Sequence, residues 1–340
     1  MAPLPRCEGN QLSNDFSDGS SGLVYHLGHA LFPGAKLLEY RRAIRMTSQQ
    51  LLPDSLVTTN WLADNLNHPD LRIVDIRGYV KTEDIGGGQQ QATYVGAPAE
   101  YDEGHIPGAL YVDWTRDIVD GEAEVSAQIA PPEVFAEAME VRGIGNETAV
   151  VVADHTGGHF ATRLWWALNY HGHDQVAILD GGYKKWTAEG RPLEQARPSP
   201  KRREFTPKIH PEMRVEAEDV RAAIGQLGTQ IVDARDAETY AGRVYRGSRR
   251  GHIPGALSVP AKSLYKEDGT WLDVNELAGR FSEAGIQADS RIVSYCNGGV
   301  TATAVLFALY RIGHRHFANY DGSWNEWGER PELPVDVNPE

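Results

Sequence analysis

The sequence predicts an α/β protein made of two tandem copies of one domain, each a central, mostly parallel sheet flanked by helices. Two observations carry this prediction. The string Gly-His-Ile-Pro-Gly-Ala occurs twice, at Gly104–Ala109 and Gly251–Ala256, and the same features surround both copies in the same order. Within each copy, short β-branched strands alternate with helical stretches, a pattern that yields a parallel sheet covered on both faces.

Each copy opens on an apolar strand ending in Asp-x-Arg, from Arg72 to Arg77 and from Gln230 to Arg235. After the shared string comes a helical pattern, Pro132–Arg142 or Val274–Ala284, closed by Gly143-Ile144 or Gly285-Ile286. A buried-looking strand follows, Thr148–Ala153 or Arg291–Tyr295, then a Gly-Gly loop and a second helix, Ala302–Arg311 in the second copy. Both copies end in Asp-Gly-x-x-x-x-Trp, at Asp180 to Trp186 and Asp321 to Trp327. Self-similarity of this kind fixes the architecture before any single motif does. The expected organisation is an irregular extension over 1–53, domains over 54–190 and 214–330, a linker over 191–213 and a tail over 331–340. Five prolines make the linker an extended connector, and its basic Arg197, Lys201, Arg202 and Arg203 read as a solvated face.

A length of 340 residues suits about two domains. A formal charge of −14 disfavours a nucleic-acid partner, and no apolar run approaches the roughly 20 residues of a membrane helix. Two cysteines, Cys7 and Cys296, exclude a disulfide framework or a zinc cluster and suggest a reducing compartment. Residues 1–45 are rich in Gly, Ser, Pro and Asn, and Glu8, Asp15, Asp18 and Glu39 make them too acidic for a transit peptide. They read as a disordered tail or an extension ahead of a start at Met46, with Cys7 inert. The expected location is the cytoplasm; a mitochondrial one follows only if this stretch is a transit segment.

Aligned on their Gly-Ile pairs, the copies place Asp154 opposite Cys296, each at a strand end. The second loop reads Cys296-Asn297-Gly298-Gly299-Val300-Thr301 and opens a helix. Main-chain N–H groups curling round that sulfur, with a helix N-terminus behind them, favour a thiolate and any further negative atom bonded to it. A persulfide fits that description. A merely buried cysteine needs no Gly-Gly loop. The first loop, Asp154 to Phe160, is one residue longer and carries bulky His159 and Phe160, so its amides are not expected to converge. His155 and His159 lack the geometry and a third partner for a metal site. His105 and His252, present in both copies, are expected to fix a turn. Trp165, Trp166, Trp186 and Trp327 read as packing, and Trp324 as a wall of the pocket. Arg235 is open to two readings, an anion contact or, like its twin Arg77, a brace for the fold.

The paired Gly-His-Ile-Pro-Gly-Ala strings, the Asp-x-Arg strands, the Cys-Asn-Gly-Gly-Val-Thr loop and the terminal Asp-Gly-Ser-Trp-Asn-Glu-Trp resemble the two-domain rhodanese (thiosulfate/3-mercaptopyruvate) sulfurtransferases from about residue 54 to 330. The resemblance implies two rhodanese-like domains, only the second reactive. It implies ping-pong transfer of sulfur from thiosulfate through a Cys296 persulfide to cyanide or a thiol such as thioredoxin, with no cofactor, by a monomer. The residues expected around Cys296 are Asn297, Gly298, Gly299, Val300, Thr301, Arg235, Arg249 and Trp324. The sequence departs from the family in two places. Neutral Asn297 and Gly298 stand where thiosulfate-type members often carry basic residues. Thr239 stands where mercaptopyruvate-type members have an arginine, which leaves Arg243, Arg246, Arg249 and Arg250 as candidate anion partners. A 3-mercaptopyruvate sulfurtransferase and a non-catalytic sulfur carrier loaded by a desulfurase remain the alternatives. A phosphatase is excluded because Ala302 and Thr303 stand where C-x-x-x-x-x-R needs its arginine.

Overall fold

The computed structural model of the chain describes residues 51–337; the expectations for the N-terminal extension, Cys7 included, lie outside them. The first half contains strands β1 (Leu56–Val57), β2 (Leu71–Asp75), β3 (Gly78–Gly86), β4 (Gln89–Gly96), β5 (Ala109–Tyr111), β6 (Ala149–Ala153) and β7 (Val176–Leu179). The second contains β8 (Arg214–Val215), β9 (Thr229–Asp233), β10 (Leu257–Ser258), β11 (Arg291–Tyr295) and β12 (Phe317–Tyr320). The sheets run β1-β7-β6-β2-β5 and β8-β12-β11-β9-β10, the same order twice. All pairs within them are parallel. Central β6, Ala-Val-Val-Val-Ala, is buried throughout, as a strand covered on both faces must be.

Among the helices are α1 (Thr59–Asn65), α2 (Pro98–Glu103), α3 (Pro132–Glu140), α4 (Ala161–Tyr170), α5 (Gly182–Ala188), α6 (Ala217–Ala223), α7 (Ala237–Tyr240), α8 (Val274–Glu283), α9 (Ala302–Arg311) and α10 (Ser323–Trp327). The Gly-Ile pairs end α3 and α8 as expected. Gly143 and Gly285 turn left-handed at φ 63° and 81°. Ile144 N then returns to Met139 O at 3.0 Å and Ile286 N to Phe281 O at 2.9 Å. These are the hydrogen bonds of a Schellman cap, which the left-handed glycine permits.

Helices α4 and α9 are apolar on nearly every face and lie buried between the two sheets, where they pack on each other. Thr303 Oγ1 donates to Thr162 Oγ1 at 3.0 Å, and the Trp165 and Phe307 rings meet edge to face at 5.1 Å. One apolar core therefore runs through both halves and includes Cys296.

Two features were not foreseen. The first is the antiparallel hairpin β3–β4, whose tip Gly86-Gly87-Gly88 reaches the second half. Gln90 N donates to Tyr245 O at 2.8 Å, and Tyr245 N donates to Gly88 O at 3.0 Å. The second is that the linker and the tail each supply the last piece of the preceding domain. His105 and Glu194 exchange main-chain hydrogen bonds, and so do His252 and Asp336. The closing tryptophans Trp186 and Trp327 donate to Pro192 O and Pro334 O, both at 2.8 Å. The linker's Arg197, Arg202 and Arg203 form exposed ion pairs with Asp102, Glu137 and Asp70. His105 and His252 hold turns as expected, each stacked at 3.9 Å on a tyrosine whose helix carbonyl meets its Nδ1 at 2.9 Å.

Candidate active site

Cys296, 4% exposed, directly follows β11, where the carboxyl ends of parallel strands leave room for a ligand. Helix α10 ties its loop down from below. Cys296 N donates to Ser323 Oγ at 3.1 Å, and that hydroxyl donates to Tyr320 O at 2.8 Å. Trp324 N and Asn325 N donate to Cys296 O and Asn297 O at 3.0 and 2.8 Å. To make these contacts Ser323 sits at φ 52°, a left-handed conformation uncommon for a residue with a Cβ. Beyond the loop lies a cleft of about 1160 Å³, lined by Gln91, Tyr94, Trp114, Ser126, Arg246 and Asn325 and by no residue from Cys296 to Thr301. Tyr94 and Asn325, hydrogen-bonded to each other at 3.0 Å, stand between this cleft and the cysteine loop.

The twin loop shows what such a backbone binds. Asp154 Oδ1 accepts from Thr156 N and Gly158 N at 2.8 and 3.0 Å, and its Oδ2 from Phe160 N and Ala161 N at 2.8 and 2.9 Å. Four amides converge on one buried carboxylate. This corrects the expectation that the longer first loop would scatter them: the extra residue is absorbed before Gly158, and the helix N-terminus keeps its geometry. The matching amides of the second loop, Gly299, Thr301 and Ala302, donate to no protein acceptor among the described residues. They remain available for an anion at the end of the Cys296 side chain.

Comparison with known proteins agrees with this geometry. The rhodanese-like domain family matches residues 58–189 and again 216–330. The chain belongs to the rhodanese family. It is 35% identical over 283 residues to the 3-mercaptopyruvate sulfurtransferase of Escherichia coli, covering 82% of this chain and 97% of that protein. It is 34% identical over 296 residues to the sulfur carrier protein TtuD of Thermus thermophilus, covering 83% and 96%. The crystal structure of SseA from E. coli, described as a 3-mercaptopyruvate sulfotransferase, superposes with a TM-score of 0.69 at 34% identity over 79% of this chain and 98% of that one.

Within the second rhodanese domain, Asn297, Gly298, Gly299, Val300 and Thr301 make up the loop between Cys296 and α9. Three other expectations fail. Arg235 is buried in a 2.6 Å ion pair with Asp233 and donates to Gly251 O at 2.7 Å. Arg77 makes the same contacts with Asp75 and Gly104 in the other half, so both are braces. Arg249 donates to the carbonyls of Trp327, Gly328, Arg330 and Leu333, and its guanidinium is consumed there. Trp324 is 1% exposed, lies under Arg235 and donates to Arg249 O, so it packs the core and walls no pocket. Of the remaining candidate arginines, Arg246 lines the cleft, as does Tyr94. Arg243 pairs with Glu238 on the surface. Ser323, Asn325 and Tyr94 were missed, because their places depend on contacts between distant segments.

The loop of the first rhodanese domain is sealed by the second. A Cβ on Gly157 would lie 2.2 Å from Gly269 O, and one on Gly158 2.9 Å from the Trp271 ring. The His159 ring packs edge to face on Tyr265 at 4.9 Å, and Tyr265 is pressed on Trp271 at 4.4 Å. Asp154→Cys placed in a Cys296→Ser protein is therefore expected to give no thiosulfate turnover. The amide nest is present there, but no donor reaches it. Restored turnover in a thiosulfate–cyanide assay would show that the seal opens.

Proposed function

We propose that the chain is a sulfurtransferase, with the second domain catalytic and the first inactive, moving a sulfane sulfur from thiosulfate or a related donor to cyanide or a thiol. The observation that supports it best is the pair of equivalent loops. One holds a carboxylate with four amides, and the other offers the matching amides beside a cysteine. With thiosulfate, the Cys296 sulfur attacks the outer sulfur, the new S–S bond forms, and the old one breaks as its electron pair leaves with sulfite. The loop amides hold the terminal sulfur of the persulfide, whose charge lies where the Asp154 carboxylate lies in the twin. An acceptor then takes that sulfur, and the electron pair returns to Cys296. No cofactor enters this scheme. A monomer in the cytoplasm, using a small thiol or thioredoxin as acceptor, completes the reading.

Intact mass after incubation with thiosulfate or with 3-mercaptopyruvate tests it. The expected result is a gain of one sulfur atom that is absent in Cys296→Ser, and the faster donor identifies the preferred one. If neither donor adds mass, the reading as an enzyme on small donors fails. Loading only by a partner desulfurase would favour the carrier, for which a cleft of about 1160 Å³, far roomier than a five-atom anion needs, gives independent support.

Arg246 is the cleft's candidate for the donor's negative charge. Loss of one charge-assisted hydrogen bond removes about 1.5–3 kcal/mol, or roughly 10- to 100-fold in affinity. Arg246→Ala should therefore raise the donor KM by about that factor with kcat changed much less. An unchanged KM would assign the charge recognition to the amides alone.

A further inference from the structure

We propose that Tyr94, a residue of the inactive first domain, is a catalytic hydrogen-bond donor to the sulfur carried on Cys296; this rests on the sulfurtransferase reading. Tyr94 stands on β4, opposite Val80 of β3, and its place is set from both domains. Beyond the two main-chain bonds between the hairpin tip and Tyr245, Gln89 Nε2 donates to Gly247 O at 2.9 Å. The hydroxyl lies against the catalytic loop, 2.8 Å from where a Cβ on Gly298 would stand. Any side chain at position 298 would displace it.

The hydrogen bonds around this phenol decide where its proton goes. A tyrosine hydroxyl has one donor and two acceptor positions. Asn325 Nδ2 donates to it at 3.0 Å. An amide nitrogen can only donate, so the phenol accepts there, and its O–H goes to no protein acceptor among the described residues. The loop residue that the hydroxyl faces, Gly298, is two positions past Cys296, and Asn325, which donates to the phenol, also donates its main-chain N–H to Asn297 O at 2.8 Å. Burial pushes the Tyr94 phenol up from its ordinary value, so it keeps its proton at neutral pH. The neutral pair Asn297-Gly298 leaves no cation directly after the cysteine, and the first domain supplies the missing polar contact from across the interface.

The proton is shared and never transferred. As the Sγ–S bond forms and the S–sulfite bond breaks, the outer sulfur becomes the anionic end of the persulfide, and the Tyr94 O–H hydrogen-bonds to it. When the acceptor takes that sulfur, the Sγ–S electron pair returns to Cys296 and the O–H is released.

Rates of persulfide loading from thiosulfate and of its discharge to cyanide, followed by intact mass in the full chain, test the assignment. Tyr94→Phe keeps the ring in place and should slow loading about 100-fold, the scale set by loss of one donor at an anionic centre, with an unchanged thermal midpoint. A second variant, Tyr94→3,5-difluorotyrosine, keeps the volume and the proton but makes the phenol more acidic. It should move the alkaline limb of the loading rate to lower pH. Wild-type loading rates in Tyr94→Phe, or an unmoved limb in the fluorinated protein, would overturn the role of Tyr94 alone. A wild-type chain that never loads would overturn the sulfurtransferase reading and this inference with it.

Discussion

Cys296→Ser protein is expected to keep its fold and lose sulfur transfer by at least about 1000-fold, the order seen when a covalent nucleophile is removed. The fold survives because serine is slightly smaller and the loop is held by groups other than the sulfur. The Cys296 amide is fixed by Ser323, and the Cys296 and Asn297 carbonyls are fixed by α10. Chemistry fails because a serine hydroxyl at neutral pH is a weak nucleophile with no adjacent base to activate it. The loop amides would then face a neutral hydroxyl in place of a sulfur anion. Thiocyanate formation from thiosulfate and cyanide reads the activity, and circular dichroism reads the fold. A Cys296→Ser protein that turned over at even a tenth of the parental rate would remove this residue from the mechanism.

The second large effect falls on stability. Arg163 of α4 reaches into the second domain and pairs with Asp321 at 2.5 Å, both side chains at most 1% exposed. The same guanidinium donates to Gly299 O at 3.2 Å and to Ala127 O at 2.8 Å. Asp321 in turn accepts from Ile129 N at 2.7 Å and from Asn319 Nδ2 at 3.2 Å. Arg163→Met would leave the Asp321 charge without its countercharge and Ala127 O without its donor, while Gly299 O keeps Asn319 Nδ2 at 3.0 Å, so urea unfolding should show a loss of about 3–5 kcal/mol. The double substitution Arg163→Met with Asp321→Leu should recover part of that loss, because an apolar pair strands no charge. Sulfur transfer should fall in the single variant as well, since Gly299 belongs to the loop that carries Cys296. A loss below about 1 kcal/mol would mean that water reaches the pair, which its burial does not allow.

How much of this was legible in the sequence depends on how local each feature is. The strand runs, the Gly-Ile helix ends and the cysteine at a strand end before Gly-Gly are written within a few residues, and they fall where their patterns place them. Helix α9 begins and ends at the expected Ala302 and Arg311. The failures are tertiary. Arg235, Arg249 and Trp324 lie near Cys296 in type and spacing, but each is consumed by carbonyls, a carboxylate or core packing that only the folded chain brings up. The hairpin had a local signal, Gly86-Gly87-Gly88 between alternating β-formers, which the repeat pattern obscured because the second copy has no counterpart. Nothing in the sequence places Tyr94 beside Cys296, for that requires the hairpin's register and the clasp at Tyr245 together. The Asp154 nest teaches the opposite lesson. Counting one extra loop residue suggested a broken cradle, yet the backbone accommodated it and kept all four donors aimed.

The clasp between the hairpin tip and Tyr245 makes the molecule indivisible. A duplicated unit ordinarily leaves a spare, free to erode or be lost once its twin does the work. Here the copy with Asp154 supplies one wall beside the Cys296 loop, and the copy with Cys296 closes off the first one's loop. Cutting the chain in the linker would yield a second half with its sheet, its cysteine and its amides in place, but open on the side where Tyr94 and Ser126 stand. A change at the hairpin tip, far along the chain from Cys296, is therefore expected to reach the proposed reaction by letting that wall swing away.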